Sequence, residues 1–280
     1  MIGVFDSGHG GLTVFRALVE RFPDRSFTYL GDHGNAPYGD RPAAEVLDLT
    51  RVGVERLFER GSRLVLLGCN TATAVSSRYL QHRWLPESGW VGHNVLGIVA
   101  PTVEAATQTA WGVTTPQYPQ KYNDDVVAVF GTTRTIASGV YAEEIRKRCP
   151  RVTVLGQSVP GLAGAIERSA PDDEIDTMIA EGVGRMLDLN DGEAPHRAIL
   201  GCTHFPLVED VFRRHLPART RVLAQPGVVA DSLEDYLGRH PEYDHPTPNP
   251  RVTLLTTGDV DRVRAIAEVF WPGVPDLLGV

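Results

Sequence analysis

Leu64-Val65-Leu66-Leu67-Gly68-Cys69-Asn70-Thr71 and Ala198-Ile199-Leu200-Gly201-Cys202-Thr203-His204 share one design: an unbroken apolar run ending in Gly-Cys, followed by hydrogen-bonding residues. A short apolar run without alternation reads as a strand covered on both faces, as in parallel sheets. In open α/β sheets, ligands bind beyond the carboxyl ends of such strands. Each run therefore delivers a cysteine to a place suited to chemistry. The two come from different halves of the chain, and they are expected to face one pocket from opposite sides.

Outward from these runs, apolar segments alternate with amphipathic ones, the pattern of parallel sheets covered by helices. Ile2 to Phe5 reads as a strand, Asp6-Ser7-Gly8-His9-Gly10-Gly11 as a glycine-rich turn, and Leu12, Phe15, Leu18 and Val19 as the apolar face of a helix. Phe27 to Leu30 predicts a second strand, Asp32 to Pro42 a long functional loop, and Ala43 to Glu59 a helix. The second half restarts with Gly97-Ile98-Val99, a helix through Ala105, a strand Val126 to Phe130, a turn Gly131 to Thr135 and a helix near Ser138 to Lys147. Val4-Phe5-Asp6-Ser7-Gly8 matches Val129-Phe130-Gly131-Thr132-Thr133, as the two Gly-Cys runs match each other. The fold class expected is α/β, with two similar doubly wound lobes of parallel sheet and the active site in the cleft between them. The first lobe is expected at 1–97 plus 211–280 and the second at 98–210, with Val222-Leu223, a helix near Val229 to Leu237 and a strand Val252 to Thr256 assigned to the first.

The 280 residues, 42% hydrophobic and 22% charged, suffice for a substantial core in one or two domains. Lys and Arg number 27 against 35 Asp and Glu, a net charge of -8, and the basic residues are scattered, so nucleic acid is not expected as a primary partner. No apolar run reaches the roughly 18 residues of a membrane span, and the amino terminus enters a strand directly. A cytoplasmic protein without membrane association is expected. Three cysteines, an odd number, argue for reduced thiols rather than a disulfide framework.

A buried cysteine is ordinarily a small hydrophobe. Cys69 and Cys202 stand just past strand ends, where a helix start is expected to lower the thiol pKa. Cys149, amid Arg146, Lys147, Arg148 and Arg151, reads as structural or surface. Cys202 and His204 are soft ligands, but the four-ligand spacing of a zinc site is missing and no metal is expected. The Asp6-to-Gly11 turn lacks both the P-loop ending and the dinucleotide-binding glycine spacing. It reads as a seat for an anion or carboxylate, with Ser7 and backbone N–H groups as donors, or as a plain helix cap.

Together, Val4 to Val14, Asp32 through Pro37-Tyr38-Gly39, Cys69-Asn70-Thr71-Ala72 and Gly201-Cys202-Thr203-His204-Phe205-Pro206-Leu207 resemble, in order, the glutamate racemases of the aspartate/glutamate racemase superfamily. The resemblance implies a two-base racemisation of glutamate with no cofactor, by Cys69 and Cys202, assisted by Asp6 and His204. It implies D-glutamate supply for peptidoglycan and a homodimer. Ser7, Pro37, Tyr38, Gly39, Asn70, Thr71, Thr132, Thr133 and Thr203 are the candidate substrate-binding residues, with Glu167 as the family's acidic residue at a turn into a helix. Tyr38 also reads as a packed aromatic, and Asn70 and Thr203 as helix caps. His9 and His33 stand where the family carries a small aliphatic and a Ser or Thr, and read first as solvent-facing loop histidines. Thr102 replaces a common glycine, and Trp111 to Asp125 is longer than the usual connection. A racemase of another amino acid such as aspartate, or an amino-acid- or protein-binding member of the superfamily, is the alternative.

Overall fold

Burial along the whole of Ile2–Asp6 (β1), Phe27–Gly31 (β2) and Leu64–Leu67 (β3) is what an apolar run without alternation produces when both of its faces are covered. The structure, a computed structural model, describes every residue except Trp111, Thr114 and Asn123. The expectation placed on Trp111 to Asp125 thus falls partly outside the described residues. The next strands are Asn94–Gly97 (β4), Val126–Gly131 (β5), Thr153–Ser158 (β6) and Arg197–Gly201 (β7). Arg221–Leu223 (β8), Val252–Thr256 (β9) and Leu277–Gly279 (β10) complete the set.

They form two sheets, ordered β10-β9-β2-β1-β3-β4 and β6-β5-β7-β8, with every pairing parallel. Without β9 and β10 the two orders are the same, the first strand of each lobe lying between its second and its third. The two similar lobes read from the sequence are present. In each, the chain leaves the first strand toward one edge and later returns to its other side, which opens a crevice at the carboxyl ends of β1 and β3, and of β5 and β7.

Helices seal the sheets. Leu12–Arg21 buries Leu12, Val14, Phe15 and Leu18. The Phe15 ring lies 5.2 Å from that of Tyr29, and burying each such side chain contributes about 1.5–3 kcal/mol. One apolar core runs through both lobes, joining Phe15 and Phe27 of the first to Phe130 and Phe212 of the second. The helix Gln225–Arg239 packs on Leu12–Arg21, and Arg21 donates to Glu234 at 2.7 Å. Among the described residues no helix is long and apolar enough to cross a membrane.

Three local expectations are corrected. The strand expected at Gly97-Ile98-Val99 is β4, which ends at Gly97 beside β3, and Val99 already begins the helix Val99–Thr107. The helix expected near Ser138 to Lys147 is two, Thr133–Ala137 and Val140–Arg148, separated at Gly139, whose φ of 67° a side chain rarely adopts. Val222 and Leu223 belong to the second sheet, not the first. The short crossover after β7 brings Arg221 level with Arg197, and the chain reaches the first sheet again only at β9.

Candidate active site

The two crevices open into one cavity of about 650 Å³. From the first lobe it is lined by Ser7, Pro37, Tyr38, Gly39, Cys69, Asn70 and Thr71, and from the second by Thr132, Thr133, Glu167, Cys202, Thr203 and His204. Of the residues expected in a site, only Asp6 does not line it. Asp6 ends β1, 1% exposed, with its Oδ2 accepting from the Gly8 N–H at 3.0 Å and the Tyr29 hydroxyl at 3.2 Å. Cys69 and Cys202 follow β3 and β7, the equivalent third strands of the two lobes, so their shared placement follows from the repeated topology.

Each sulfur has its own polar surroundings. Cys69 Sγ lies 3.2 Å from Ser7 Oγ and caps the helix Asn70–Tyr79, accepting from the Ala72 N–H at 3.4 Å. That helix start was expected to lower its pKa, and the opposite holds. Burial, and after it the Asp6 charge, pushes the thiol up to about 12, because one long N–H contact and the Ser7 hydroxyl do not replace lost solvent. Burial likewise raises the Asp6 carboxyl, outweighing the Gly11 and Gly8 N–H groups, His204 and Tyr29.

Cys202 Sγ faces His204 Nδ1 at 3.7 Å, and His204 Nε2 donates to Glu167 Oε1 at 2.8 Å. Burial alone would lower the His204 pKa, but its bonds to Cys202 and Glu167 prevail and raise it to about 10. Burial would raise that of Glu167, yet bonds from His204 and His9 hold it well below the usual carboxylate range. The spacing of residues left open which assistant serves which sulfur. In the fold the Asp6 charge acts on Cys69, and His204 stands beside Cys202. Gly10 makes this approach possible, since a Cβ there would stand 2.4 Å from His204 Nδ1 and 2.5 Å from Thr203 Oγ1.

The remaining candidates divide. Thr71 Oγ1 meets Thr132 Oγ1 at 3.0 Å across the lobes, and Thr132 caps Thr133–Ala137 by accepting from the Thr135 N–H. The loop through Pro37 to Gly39 is held from the other lobe, where the Arg134 N–H donates to Gly39 O at 3.0 Å and Arg134 Nε to Arg41 O at 2.9 Å. Tyr38 is the packed aromatic as well as a lining residue. It is 1% exposed, and its hydroxyl donates to Asp32 Oδ2 at 2.6 Å. The Asn70 amide is engaged at both ends: its Nδ2 donates to Gln225 Oε1 at 2.5 Å, and its Oδ1 accepts from the Tyr141 hydroxyl at 2.6 Å. At the start of its helix the Ala72 N–H is taken by Cys69 Sγ, whereas those of Asn70 and Thr71 have no intrahelical acceptor.

His9 and His33 are not solvent-facing. His9 is 5% exposed, with Nδ1 3.2 Å from Glu167 Oε1, and its ring lies 4.2 Å from that of His33. Burial, with the charge of His9, lowers the His33 pKa to about 3, so His33 stays neutral at working pH. Cys149 is buried rather than on the surface, 3% exposed within the second-lobe core. The sequence reading quoted Asp32 in its loop without giving it a role, and it missed Tyr29, Tyr141 and Gln225, and also the helix Val260–Phe270, whose Arg262, Val263 and Ile266 line the cavity. Asp32 and that helix each follow a strand end, the same signal that singled out the cysteines. Among the described residues no three His, Cys, Asp or Glu side chains group as metal ligands would, and no lysine lines the cavity.

Known proteins provide a frame for this geometry. No family model matches the chain. It is 48% identical over 277 residues to a glutamate racemase of Phenylobacterium zucineum, covering 97% of each chain. To that of Jannaschia sp. it is 42% identical over 272 residues, covering 96% of this chain and 95% of the other. Among solved structures it is similar to the glutamate racemase isoform RacE1 of Bacillus anthracis, with a TM-score of 0.84 at 27% identity over 100% of this chain and 97% of that one. The glutamate racemase of Thermus thermophilus in complex with β-chloro-D-alanine gives 0.79 at 26%, over 100% and 96%.

Proposed function

The chain belongs to the glutamate racemase family, and on that premise we propose that it interconverts L- and D-glutamate by two cysteine bases, in the cytoplasm, supplying D-glutamate for peptidoglycan. It is an isomerase of the class that works without pyridoxal phosphate. The observation that carries the two-base reading is the delivery of two cysteines to one cavity by equivalent strands of two similar lobes. Inversion at Cα needs a base on one face and an acid on the other, and this arrangement supplies both.

With L-glutamate, Cys202 as thiolate takes the α-proton and the C–H electron pair stays on the substrate. Cys69 as thiol then gives its proton to the opposite face, leaving a thiolate. D-glutamate follows the reverse course. His204, its Nδ1 3.7 Å from the Cys202 sulfur, assists proton transfer there. Asp6 and Ser7 serve the Cys69 side, where Ser7 is in hydrogen-bond range. An α-proton beside a carboxylate is far less acidic than a thiol, so the negative charge on the substrate must be met by fixed donors in a desolvated cavity. The groups proposed to bind the substrate carboxylates are the first-turn N–H groups at Asn70 and Thr71, together with Thr132, Thr133 and Thr203, which line the cavity. The Thermus relative holds a D-amino-acid analogue, which supports a small D-amino acid as ligand. A homodimer is proposed as the working form, to be checked by light scattering.

In D₂O without cofactor, L- and D-glutamate are expected to exchange their α-protons and to racemise, and both aspartate enantiomers to stay unchanged. Inversion should be lost in Cys69→Ser and in Cys202→Ser. NMR follows the exchange and circular dichroism the inversion. No exchange with any of the four substrates would overturn the assignment.

A further inference from the structure

His9 lies in the glycine-rich turn after β1, yet it touches the acid of the other lobe. Its Nδ1 is 3.2 Å from Glu167 Oε1, the same oxygen that accepts from His204 Nε2 at 2.8 Å, and its Nε2 is 3.3 Å from the carbonyl of Val263. Both facing atoms are acceptors, so both contacts are hydrogen bonds when both ring nitrogens carry hydrogen. The ring is wedged between His33 and Phe270, at centroid distances of 4.2 and 5.8 Å, which fixes its plane.

We propose that His9 is a positioning residue for the Cys202 half of the reaction: it holds Glu167 so that Glu167 in turn aims His204 at Cys202. The inference rests on the two-cysteine reading above. Glu167 itself is 29% exposed at its side chain, with one face toward the cavity, whereas His9 is buried and anchored to the helix Val260–Phe270. A carboxylate gripped by His204 alone is free to swing about that one bond. A second donor on the same oxygen removes the freedom, and a His204 ring held at Nε2 keeps Nδ1 on the sulfur. On this account His9 acts on one of the two bases and leaves Ser7, Asp6 and Cys69 alone.

The test compares wild type with His9→Leu, which removes both hydrogen bonds, and His9→Asn, whose amide nitrogen retains a donor near the Nδ1 position. Asp6→Asn and His204→Asn mark the two sides. Rates and α-deuterium isotope effects are measured from each glutamate enantiomer. His9→Leu is expected to lower kcat about tenfold with little change in KM, and His9→Asn to recover most of the loss. The isotope effect should rise for the enantiomer deprotonated by Cys202 and fall for the other, in the sense shown by His204→Asn and opposite to Asp6→Asn. An equal change in both directions, or one in the Asp6→Asn sense, overturns the proposal. The ring ¹⁵N signals of His204 give a readout independent of turnover: they should move in His9→Leu and return in His9→Asn, and unmoved signals also overturn it. If wild type does not racemise glutamate, the two-cysteine reading fails, and the His204 signals still decide the contact chain.

Discussion

His204 keeps its proton at neutral pH because it is folded between Cys202 and Glu167. Its folded pKa of about 10 lies above the ordinary 6.5, so the stability it contributes is fully present below about pH 6.5 and is lost as pH rises through about 10. Urea unfolding from pH 6 to 10.5 should show stability falling across that window. The fall should flatten in Glu167→Gln, which removes the carboxylate; an unchanged slope would mean the pair is not the source. Cys69, Cys202 and His204 were legible in the sequence because a Gly-Cys after an apolar run is a local pattern. The engagement of Asn70 by Gln225 was not, since the partners are 155 residues apart and meet only when the lobes close on each other. His9 was misjudged for the same reason, its covering groups coming from Glu167 and the helix Val260–Phe270.

Among the elements, the strands were read closely and their membership less so. β1, β2, β3, β5 and β7 announce themselves by composition, whereas β8 has three residues, and only its register beside β7 assigns it to a sheet. The loop between β2 and the helix Ala43–Glu59 was legible as functional from its Gly and Pro content. Its anchorage was not, because the loop is held by its own backbone carbonyls, which accept from Arg134 of the other lobe. Arg134→Ala retains the N–H to Gly39 but removes the Nε bond to Arg41. A neutral acceptor bonded to a charged donor is worth about 1.5–3 kcal/mol. The variant is expected to raise KM for glutamate several-fold and to speed hydrogen exchange at residues 38–41, with the melting temperature shifted by a few degrees at most. An unaltered exchange rate in the loop would show that the arginine does not hold it.

At the scale of the whole molecule, two lobes of matching strand order bring two chemically unlike surroundings to two like sulfurs. Burial and the Asp6 charge push one thiol's pKa up, and the other sulfur stands beside a cationic imidazole. A turnover by two bases moves a proton from one sulfur to the other, so the protein that releases product is not the protein that bound substrate. It must swap protons with solvent before it can repeat the same direction, and the unlike surroundings favour one of the two empty forms over the other. On the two-cysteine proposal the molecule carries a memory of the last enantiomer it handled. At high substrate concentration, excess unlabelled L-glutamate added to labelled racemic glutamate should drive the label transiently from D to L, against the net flow. A label that stays evenly divided would mean that the memory is erased faster than substrate arrives.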